Sequence, residues 1–305
     1  MSLRHFFRLA DWSSQDLWSL LELCRRLKGE TARRHFVPHL QGRNIGLVFD
    51  KASLRTQLSF EVGINQLGGH AVIVGKSGTL GEREPISDFA QVASRYLDGL
   101  VVRTFEEHRV ESLIAHATVP VVNALTDNSH PCQAMGDVFT LLEHWGNFEN
   151  RTLCYIGDSN NVARSLMHAS LALGLGMRIS SPRGYEFPEA EKEQARARGV
   201  RFIEDPAEAA EGVDALYTDT WISMGQENER EKRQRDFAGF QVDSRIVGLA
   251  SSEVLVMHCM PAHRGEEVSA EVLDGEHSII FDQAENRLHI QKAVMVTIMA
   301  PAAEA

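Results

Sequence analysis

The sequence has few cysteines, no long apolar run and a deficit of basic side chains, and each shortage excludes a class of protein. Its four cysteines (Cys24, Cys132, Cys154 and Cys259) form no C-x-x-C pair, which predicts thiols rather than a disulfide scaffold. No stretch of about 18 apolar residues is present to span a bilayer. The net charge of −11 excludes a general surface for nucleic acid or anionic lipid, because such surfaces need an excess of Lys and Arg.

The remaining composition is that of a globular protein with more than one core. Hydrophobic residues make up 43% of the chain and charged residues 24%, which is ordinary for globular domains. A length of 305 residues predicts about two domains. Residues 1–9 have neither a long apolar segment nor a small-residue cleavage site, so we expect a cytoplasmic location.

Short apolar segments alternate with segments of helical spacing along most of the chain. This alternation predicts an α/β protein with mainly parallel sheets that helices cover on both faces. The predicted strands are 44–49, 71–74, 99–103, 119–123, 152–156, 177–180, 215–218, 254–258 and 279–281. The predicted helices include an amphipathic one near 17–27 and others at 58–67, 86–97, 134–144 and 162–173. A helix ends and a new strand begins within 142–152, so we expect two domains, 1–145 and 146–283.

Polar side chains follow the strands of both halves, and ligands of open parallel sheets bind at the carboxyl ends of strands. Ser53, Arg55 and Thr56 begin a predicted helix, whose N–H groups and dipole can bind phosphate. The alternative is that Ser53 is an ordinary N-cap and Arg55 a solvated charge. The other polar positions at strand ends are Arg103, Thr104, Asn128, Ser129, His130 and Gln133, then Asp158, Asn160, Asn161, Asp219, Ser223, Cys259 and His263.

Three further interpretations of the second half stay open on the residues alone. A dinucleotide loop at 157–161 is weakly indicated, because G-x-G-x-x-G is absent. His258, Cys259 and His263 could bind zinc, although their spacing matches no closed set of four ligands. Cys259 could be a nucleophile that His258 activates, but neighbours on a strand point to opposite faces.

Four motifs occur in order: Ser53-Leu54-Arg55-Thr56, His130-Pro131-Cys132-Gln133, residues 219–225, and His258-Cys259-Met260-Pro261. Together they resemble the aspartate/ornithine carbamoyltransferase family, and the similarity extends over 6–287. The last two motifs indicate members that act on L-ornithine. The resemblance implies transfer of a carbamoyl group from carbamoyl phosphate to the δ-amine of L-ornithine, giving L-citrulline and phosphate. We expect a role in arginine biosynthesis, although arginine breakdown would use the same site.

The resemblance also implies an architecture and an assembly. Domain 1–145 would bind carbamoyl phosphate, with a C-terminal helix at 284–305 packing back on it, and domain 146–283 would bind ornithine. The active site would lie in the cleft between the domains. A homotrimer, or a multiple of trimers, would insert the loop 76–84 of each subunit into a neighbouring site. No metal or organic cofactor is expected.

The motifs imply the following site residues. Those for carbamoyl phosphate are Ser53, Leu54, Arg55, Thr56, Arg103, His130, Gln133, Cys259, Met260 and Arg287. Those for ornithine are Asn161, Asp219, Ser223 and Met224. Those with catalytic roles are Arg55, Arg103, His130, Asp219 and Cys259. The arginines and His130 would stabilise the carbonyl oxygen and the leaving phosphate. Asp219 and Cys259 would orient the δ-amine and assist loss of its proton, which predicts a rate that rises with pH.

Three residues differ from the usual family pattern: Gln57 replaces a second arginine, Thr79 a glutamine and Phe89 a threonine. These differences predict weaker binding of carbamoyl phosphate. Two alternatives also stay open, of which the second is motivated by Gln57 and Thr79. One is a carbamoyltransferase for another amine, such as putrescine or an acylated ornithine. The other is a catalytically idle paralogue that binds anions or regulates a partner.

Overall fold

A computed structural model describes residues 3–51, 53–74, 80–223, 225 and 227–300. Its contacts divide the chain into a first unit, Met1–Phe139 with Glu285–Ala305, and a second unit, Thr140–Ala284. These borders lie near the predicted domain borders at 145 and 283. The division into two functional domains stays a prediction.

The first unit contains a four-stranded, wholly parallel sheet. Its strands are β1 (Asn44–Phe49), β2 (His70–Val74), β3 (Gly99–Arg103) and β4 (Val121–Leu125), in the order β2-β1-β3-β4. The two central strands are almost completely buried, as expected of apolar strands with helices on both faces. β4 begins two residues later than predicted, after Pro120, which has no N–H to donate to a sheet.

The helices of the first unit follow the predicted alternation. They are α1 (Ser14–Ala32), α2 (Leu54–Gln66), α3 (Ile86–Tyr96) and α4 (Glu107–His116), together with the beginning of α5 (Pro131–Trp145). Ser13 and Asp16 form a reciprocal capping box at the start of α1, which satisfies two N–H groups that would otherwise have no acceptor. Val102, Val110 and Leu113 are buried in the core between the sheet and its helices.

The second unit contains a five-stranded parallel sheet. Its strands are β5 (Thr152–Ile156), β6 (Gly176–Ser180), β7 (Arg201–Phe202), β8 (Ala215–Thr218) and β9 (Leu255–His258), in the order β7-β6-β5-β8-β9. Its helices are α6 (Asn161–Leu173), α7 (Glu189–Arg196), α8 (Pro206–Ala210), α9 (Arg230–Asp236), α10 (Ser244–Val247) and α11 (Ala270–Leu273). The strand order reverses at β5, so the carboxyl ends of β5 and β8 form the edge where such sheets bind ligands. The two parallel sheets confirm the predicted α/β fold.

The predicted strand at 279–281 is wrong, because Ile280 and Phe281 begin helix α12 (Ile280–Met299). Ser278 and Ile279 make only an isolated bridge to Val256. A three-residue apolar run does not distinguish a strand from a buried helix, and here the helix continues through buried residues of the first unit such as Val294. The sequence also missed β7, which is only two residues long.

None of the helices in the described part of the chain is both long enough and apolar enough to cross a membrane.

Candidate active site

The N-terminus of α2 lies directly after β1 in the first unit. Ser53 occupies the N-cap position, yet among the described contacts its hydroxyl caps no backbone N–H. It donates instead to Thr56 Oγ1 at 2.9 Å. Leu54 and Arg55 are exposed in the first turn. The arrangement differs from an ordinary Ser N-cap, because among the described residues the Ser53 hydroxyl accepts no hydrogen bond from the first-turn N–H groups of α2. These N–H groups can therefore donate hydrogen bonds to an anion at this end of the helix.

Arg287 connects α2, α5 and α12 beneath this helix end. Its Nη2 donates to Thr56 Oγ1 at 3.1 Å, and its Nη1 donates to Gln133 Oε1. Gln133 Nε2 then donates to Asp137 Oδ1 at 2.8 Å. All four side chains are buried. The structure thus brings three of the predicted residues into one hydrogen-bonded chain, and it adds Asp137, which the sequence reasoning missed. Its position one helical turn after Gln133 was the available signal.

Arg103 and His130 complete the polar cluster of the first unit. Arg103 ends β3, and His130 immediately precedes α5. Burial, together with the positive charges of Arg287 and Arg103, lowers the pKa of His130 well below its ordinary value. The imidazole is therefore neutral at physiological pH, and it can polarise a carbonyl group as a hydrogen-bond donor rather than as a cation.

Asp50, which follows β1, is hydrogen-bonded to residues that follow the two neighbouring strands of the sheet, β2 and β3. Its Oδ2 accepts from Thr104 Oγ1 at 2.6 Å, and its Oδ1 accepts the N–H of Leu80 at 2.9 Å. Leu80 follows residues 75–79, which include Thr79 and most of the first half of the expected loop 76–84 and lie outside the described part of the chain. Asp50 was also missed by the sequence reasoning, although a polar residue directly after a buried strand was the signal applied elsewhere.

Asp219 is the centre of the polar cluster in the second unit. It directly follows β8, and its Oδ2 accepts from Asn160 Nδ2 at 2.8 Å. Asn160 Oδ1 in turn accepts the N–H groups of Val162 and Ala163, so this residue caps α6. The prediction named Asn161, which is the first residue of α6 and is partly buried. Asn160 is thus one direct contact of Asp219, because a capping side chain is turned back across the helix end, and the assignment of Asn161 to ornithine stays a prediction.

Cys259 lies on the other side of Asp219. Its Sγ donates to Asp219 Oδ1 at 2.9 Å, and the N–H of Thr220 donates to the same oxygen at 2.8 Å. Three of about four acceptor positions on a carboxylate are thus used within the described residues. The remaining acceptor capacity of Asp219 suits an ammonium or amine group.

The contacts of His258 argue against the zinc and nucleophile interpretations. Ligand atoms of Asp219, His258 and Cys259 lie within 4.8 Å of one another. However, His258 Nδ1 accepts the N–H of Met260 at 2.9 Å, while Nε2 lies 3.0 Å from Glu267 Oε1. Nδ1 therefore lacks a proton, and Nε2 carries one that it donates to the carboxylate. Both nitrogens are engaged, so His258 neither ligates a metal nor takes the proton of Cys259 in this arrangement.

The segment after Asp219 is fixed by Arg233. Its Nη1 donates to the carbonyl of Trp221 at 2.9 Å and to Asp158 Oδ2 at 2.7 Å. Burial raises the pKa of Asp158, and Arg233 opposes that increase. Ser223 follows and is partly buried. Met224 lies outside the described residues.

Comparison with known proteins places these clusters in a family. Residues 4–143 match the carbamoyl-P binding domain, and residues 149–298 the Asp/Orn binding domain, of aspartate/ornithine carbamoyltransferase. The protein named ornithine carbamoyltransferase from Syntrophotalea carbinolica is 44% identical over 300 residues, covering 97% of this chain and 99% of that protein. The one from Hydrogenovibrio crunogenus is 44% identical over 303 residues, covering 99% and 100%.

Solved structures give the same result. The ornithine carbamoyltransferase from Pyrococcus furiosus matches with a TM-score of 0.94 and 40% identity, covering 98% of this chain and 97% of that chain. The one from Thermus thermophilus matches with a TM-score of 0.89 and 41% identity, covering 98% and 100%. Since both domains match and the relatives align along nearly the whole length, the chain belongs to the aspartate/ornithine carbamoyltransferase family.

Proposed function

We propose that this chain transfers the carbamoyl group of carbamoyl phosphate to the δ-amine of L-ornithine, giving L-citrulline and phosphate. The observation that carries the proposal is the cluster around Asp219, an acceptor of the kind an amine substrate requires. It occurs in a chain whose relatives of 44% identity are named ornithine carbamoyltransferase. No observation favours a different amine or an idle paralogue.

Carbamoyl phosphate would be bound by the first unit. The N–H groups at the start of α2, with Ser53, Leu54, Arg55 and Thr56, would hold the phosphate without a metal. Arg103, His130 and Gln133 would contact the carbamoyl group, and Arg287, which hydrogen-bonds Thr56 and Gln133, supports this assignment. Developing negative charge on the carbonyl oxygen would then face donors already fixed in place, which is the most effective form of electrostatic catalysis.

L-Ornithine would be bound by Asn161, Asp219, Ser223 and Met224, with Cys259 and Arg287 completing the site. The δ-ammonium has a solution pKa of about 10 by analogy with lysine, and it must lose a proton before its nitrogen can attack the carbamoyl carbon. Asp219 and Cys259 would orient this group and assist loss of its first proton to solvent. The nitrogen would then bond to the carbamoyl carbon while the bond from that carbon to the phosphate oxygen breaks, and the second proton would leave with the phosphate. The arrangement of Asp219 between Asn160 and Cys259 supports this role.

The proposed assembly is a homotrimer or a multiple of trimers, in the cytoplasm and in arginine biosynthesis. Large apolar side chains on the first unit support an interface between copies. Leu54 is 80% exposed and Ile73, on the edge strand β2, is 55% exposed. Exposed apolar side chains favour association, and on an edge strand, as at Ile73, the strand can also pair with another chain. Light scattering of the purified protein would test the trimer directly.

The deciding experiment is an assay of citrulline formation from carbamoyl phosphate and L-ornithine, with putrescine, N-acetylornithine and aspartate as parallel acceptors. We expect turnover with ornithine alone. Turnover with another acceptor would change the assigned substrate, and no turnover by a folded oligomer with any acceptor would support the idle paralogue.

A further inference from the structure

A single buried carboxylate fixes both ends of the turn that carries Cys259 and Met260. The side chains of Glu267 and His258 are fully buried in the second unit. Glu267 Oε1 accepts the Nε2–H of His258 at 3.0 Å and the backbone N–H of His263 at 2.5 Å. One oxygen therefore contacts the first and the last residue of the turn 258–263.

His258 transmits this contact to the backbone between the two ends. Its Nδ1 accepts the N–H of Met260 at 2.9 Å. Met260 has a φ of 53°, in the left-handed region that residues with side chains seldom adopt. Such a conformation persists only where surrounding contacts enforce it. The Glu267–His258 pair supplies one of those contacts, directly after Cys259.

The ionisation state of Glu267 agrees with a fixed acceptor. Burial alone would raise the pKa of Glu267, but the hydrogen bonds from His258 and from the His263 backbone outweigh it and hold the pKa below its ordinary value. The backbone of Glu267 is also anchored, because its carbonyl accepts the N–H of Val242 at 2.9 Å. A buried carboxylate is costly unless it is hydrogen-bonded, so this residue cannot move away without losing its compensation.

We propose that Glu267, acting through His258, is a positioning residue that sets the Cys259–Met260 backbone so that Cys259 Sγ meets Asp219. Without the carboxylate, the His258 ring loses the acceptor that orients it, and the N–H of Met260 loses its own acceptor. The 2.9 Å contact between Cys259 and Asp219 would then open. The catalytic consequence rests on the proposed function, whereas the effect on the environment of Cys259 does not.

Steady-state kinetics of four variants test the catalytic consequence. Glu267→Ala removes the acceptor, Glu267→Asp withdraws it by one methylene, and Glu267→Gln keeps an acceptor oxygen for both donors. Glu266→Ala is the matched control, because the neighbouring Glu266 side chain bonds Arg230 and Gln234 instead. For Glu267→Ala and Glu267→Asp we expect kcat/KM for ornithine to fall by about tenfold to a hundredfold, as for a displacement of about 1 Å at a site. KM for carbamoyl phosphate should change less, and Glu267→Gln and Glu266→Ala should stay near wild type.

The alkylation rate of Cys259 tests the positioning itself, with iodoacetamide as the probe and peptide mass spectrometry to locate the adduct. Cys259 is partly buried and the other three cysteines are fully buried. Burial raises the pKa of Cys132 and of Cys154 to about 12, which makes both thiols slow to react, since the thiolate is the nucleophile. Release of Cys259 from the Asp219 carboxylate should favour its thiolate, so alkylation should be faster in Glu267→Ala and Glu267→Asp.

Each outcome decides the inference. Faster alkylation in the folded Ala or Asp variant, with wild-type rates in Glu267→Gln and Glu266→Ala, supports it. Wild-type alkylation in a folded Ala or Asp variant overturns it, even if the melting temperature falls. A Glu267→Gln variant as altered as Glu267→Ala also overturns it, because the amide keeps the acceptor. If Glu267→Ala does not fold, Glu267→Asp decides, and if the wild type makes no citrulline, the alkylation series decides alone.

Discussion

The two units place polar clusters at the carboxyl ends of parallel strands, but the clusters have opposite electrostatic character. In the first unit Arg287 joins Thr56 and Gln133, near a neutral His130. In the second unit the central group is the Asp219 carboxylate, which Asn160, Thr220 and Cys259 surround with donors. Both sheets are parallel, yet the first unit presents donors that suit an anion and the second an acceptor that suits an amine, because the residues at the strand ends differ.

The largest effect should come from neutralising the acceptor in the second unit. Asp219→Asn keeps the size of the side chain but removes the charge that would orient an ammonium group. We expect kcat/KM for ornithine to fall by about 10²- to 10⁴-fold, the usual contribution of a group that handles a proton. KM for carbamoyl phosphate, measured in the same assays, should change little. Equal losses for both substrates would show that the two clusters do not have separate roles.

A smaller effect should follow from replacing the guanidinium group of Arg287 in the first unit. Arg287→Lys keeps the positive charge, but a single ammonium cannot reproduce the two bonds to Thr56 and Gln133. Loss of a charge-assisted hydrogen bond costs about 1.5–3 kcal/mol, so KM for carbamoyl phosphate should rise by about tenfold to a hundredfold. A rise in KM for ornithine, with KM for carbamoyl phosphate unchanged, would contradict the assignment of the first unit to carbamoyl phosphate.

The neutral state of His130 should appear as a pH dependence of stability. Its pKa in the folded protein is lowered, so the unfolded state binds more protons below the ordinary histidine pKa of about 6.5. The free energy of unfolding should therefore decrease on acidification below that pH, by up to about 1.4 kcal/mol per pH unit from this residue. Thermal unfolding at pH 5 to 8 would measure it, with His130→Gln as the comparison. Parallel curves for the two proteins would contradict the assignment.

The smallest effect should come from Gln57, which lies in the first turn of α2 and is partly buried. Gln57→Arg restores a positive charge near the proposed phosphate position, where an interaction of about 1 kcal/mol would lower KM for carbamoyl phosphate a few-fold. The matched variant Gln57→Met adds no charge and should leave KM unchanged. No difference between the two variants would make this departure from the family pattern irrelevant.

Much of the fold was predictable because its strands are short apolar runs with clear boundaries. The observed bounds of β1, β3, β5 and β8 equal the predicted ones. The failures have identifiable causes. The run 279–281 was too short to separate a strand from a helix, and β7 has only two residues, of which only Phe202 is apolar.

The sequence predicted which strand ends and motifs contribute to the candidate site. It did not predict which atoms form hydrogen bonds with one another. Arg287 follows Thr56 by 231 positions, and no local pattern indicates that pairing. Asn160 contacts Asp219, because helix capping turns the side chain of the residue before α6 toward the carboxylate, and the motif alone did not indicate that contact. The assigned roles of the site residues stay predictions until the variants are measured.

The sequence by itself determined the α/β class, the parallel sheets and the family, because apolar periodicity and ordered motifs are local properties of the chain. Tertiary structure decided the ionisation of His130, the tautomer of His258 and the surroundings of Cys259. Each of these depends on burial and on partners distant in sequence: Arg103 and Arg287 for His130, and Glu267 and Asp219 for the turn after β9. Protonation and hydrogen-bond geometry are set by the electrostatic environment of the folded chain, and that environment exists only after the distant elements have packed.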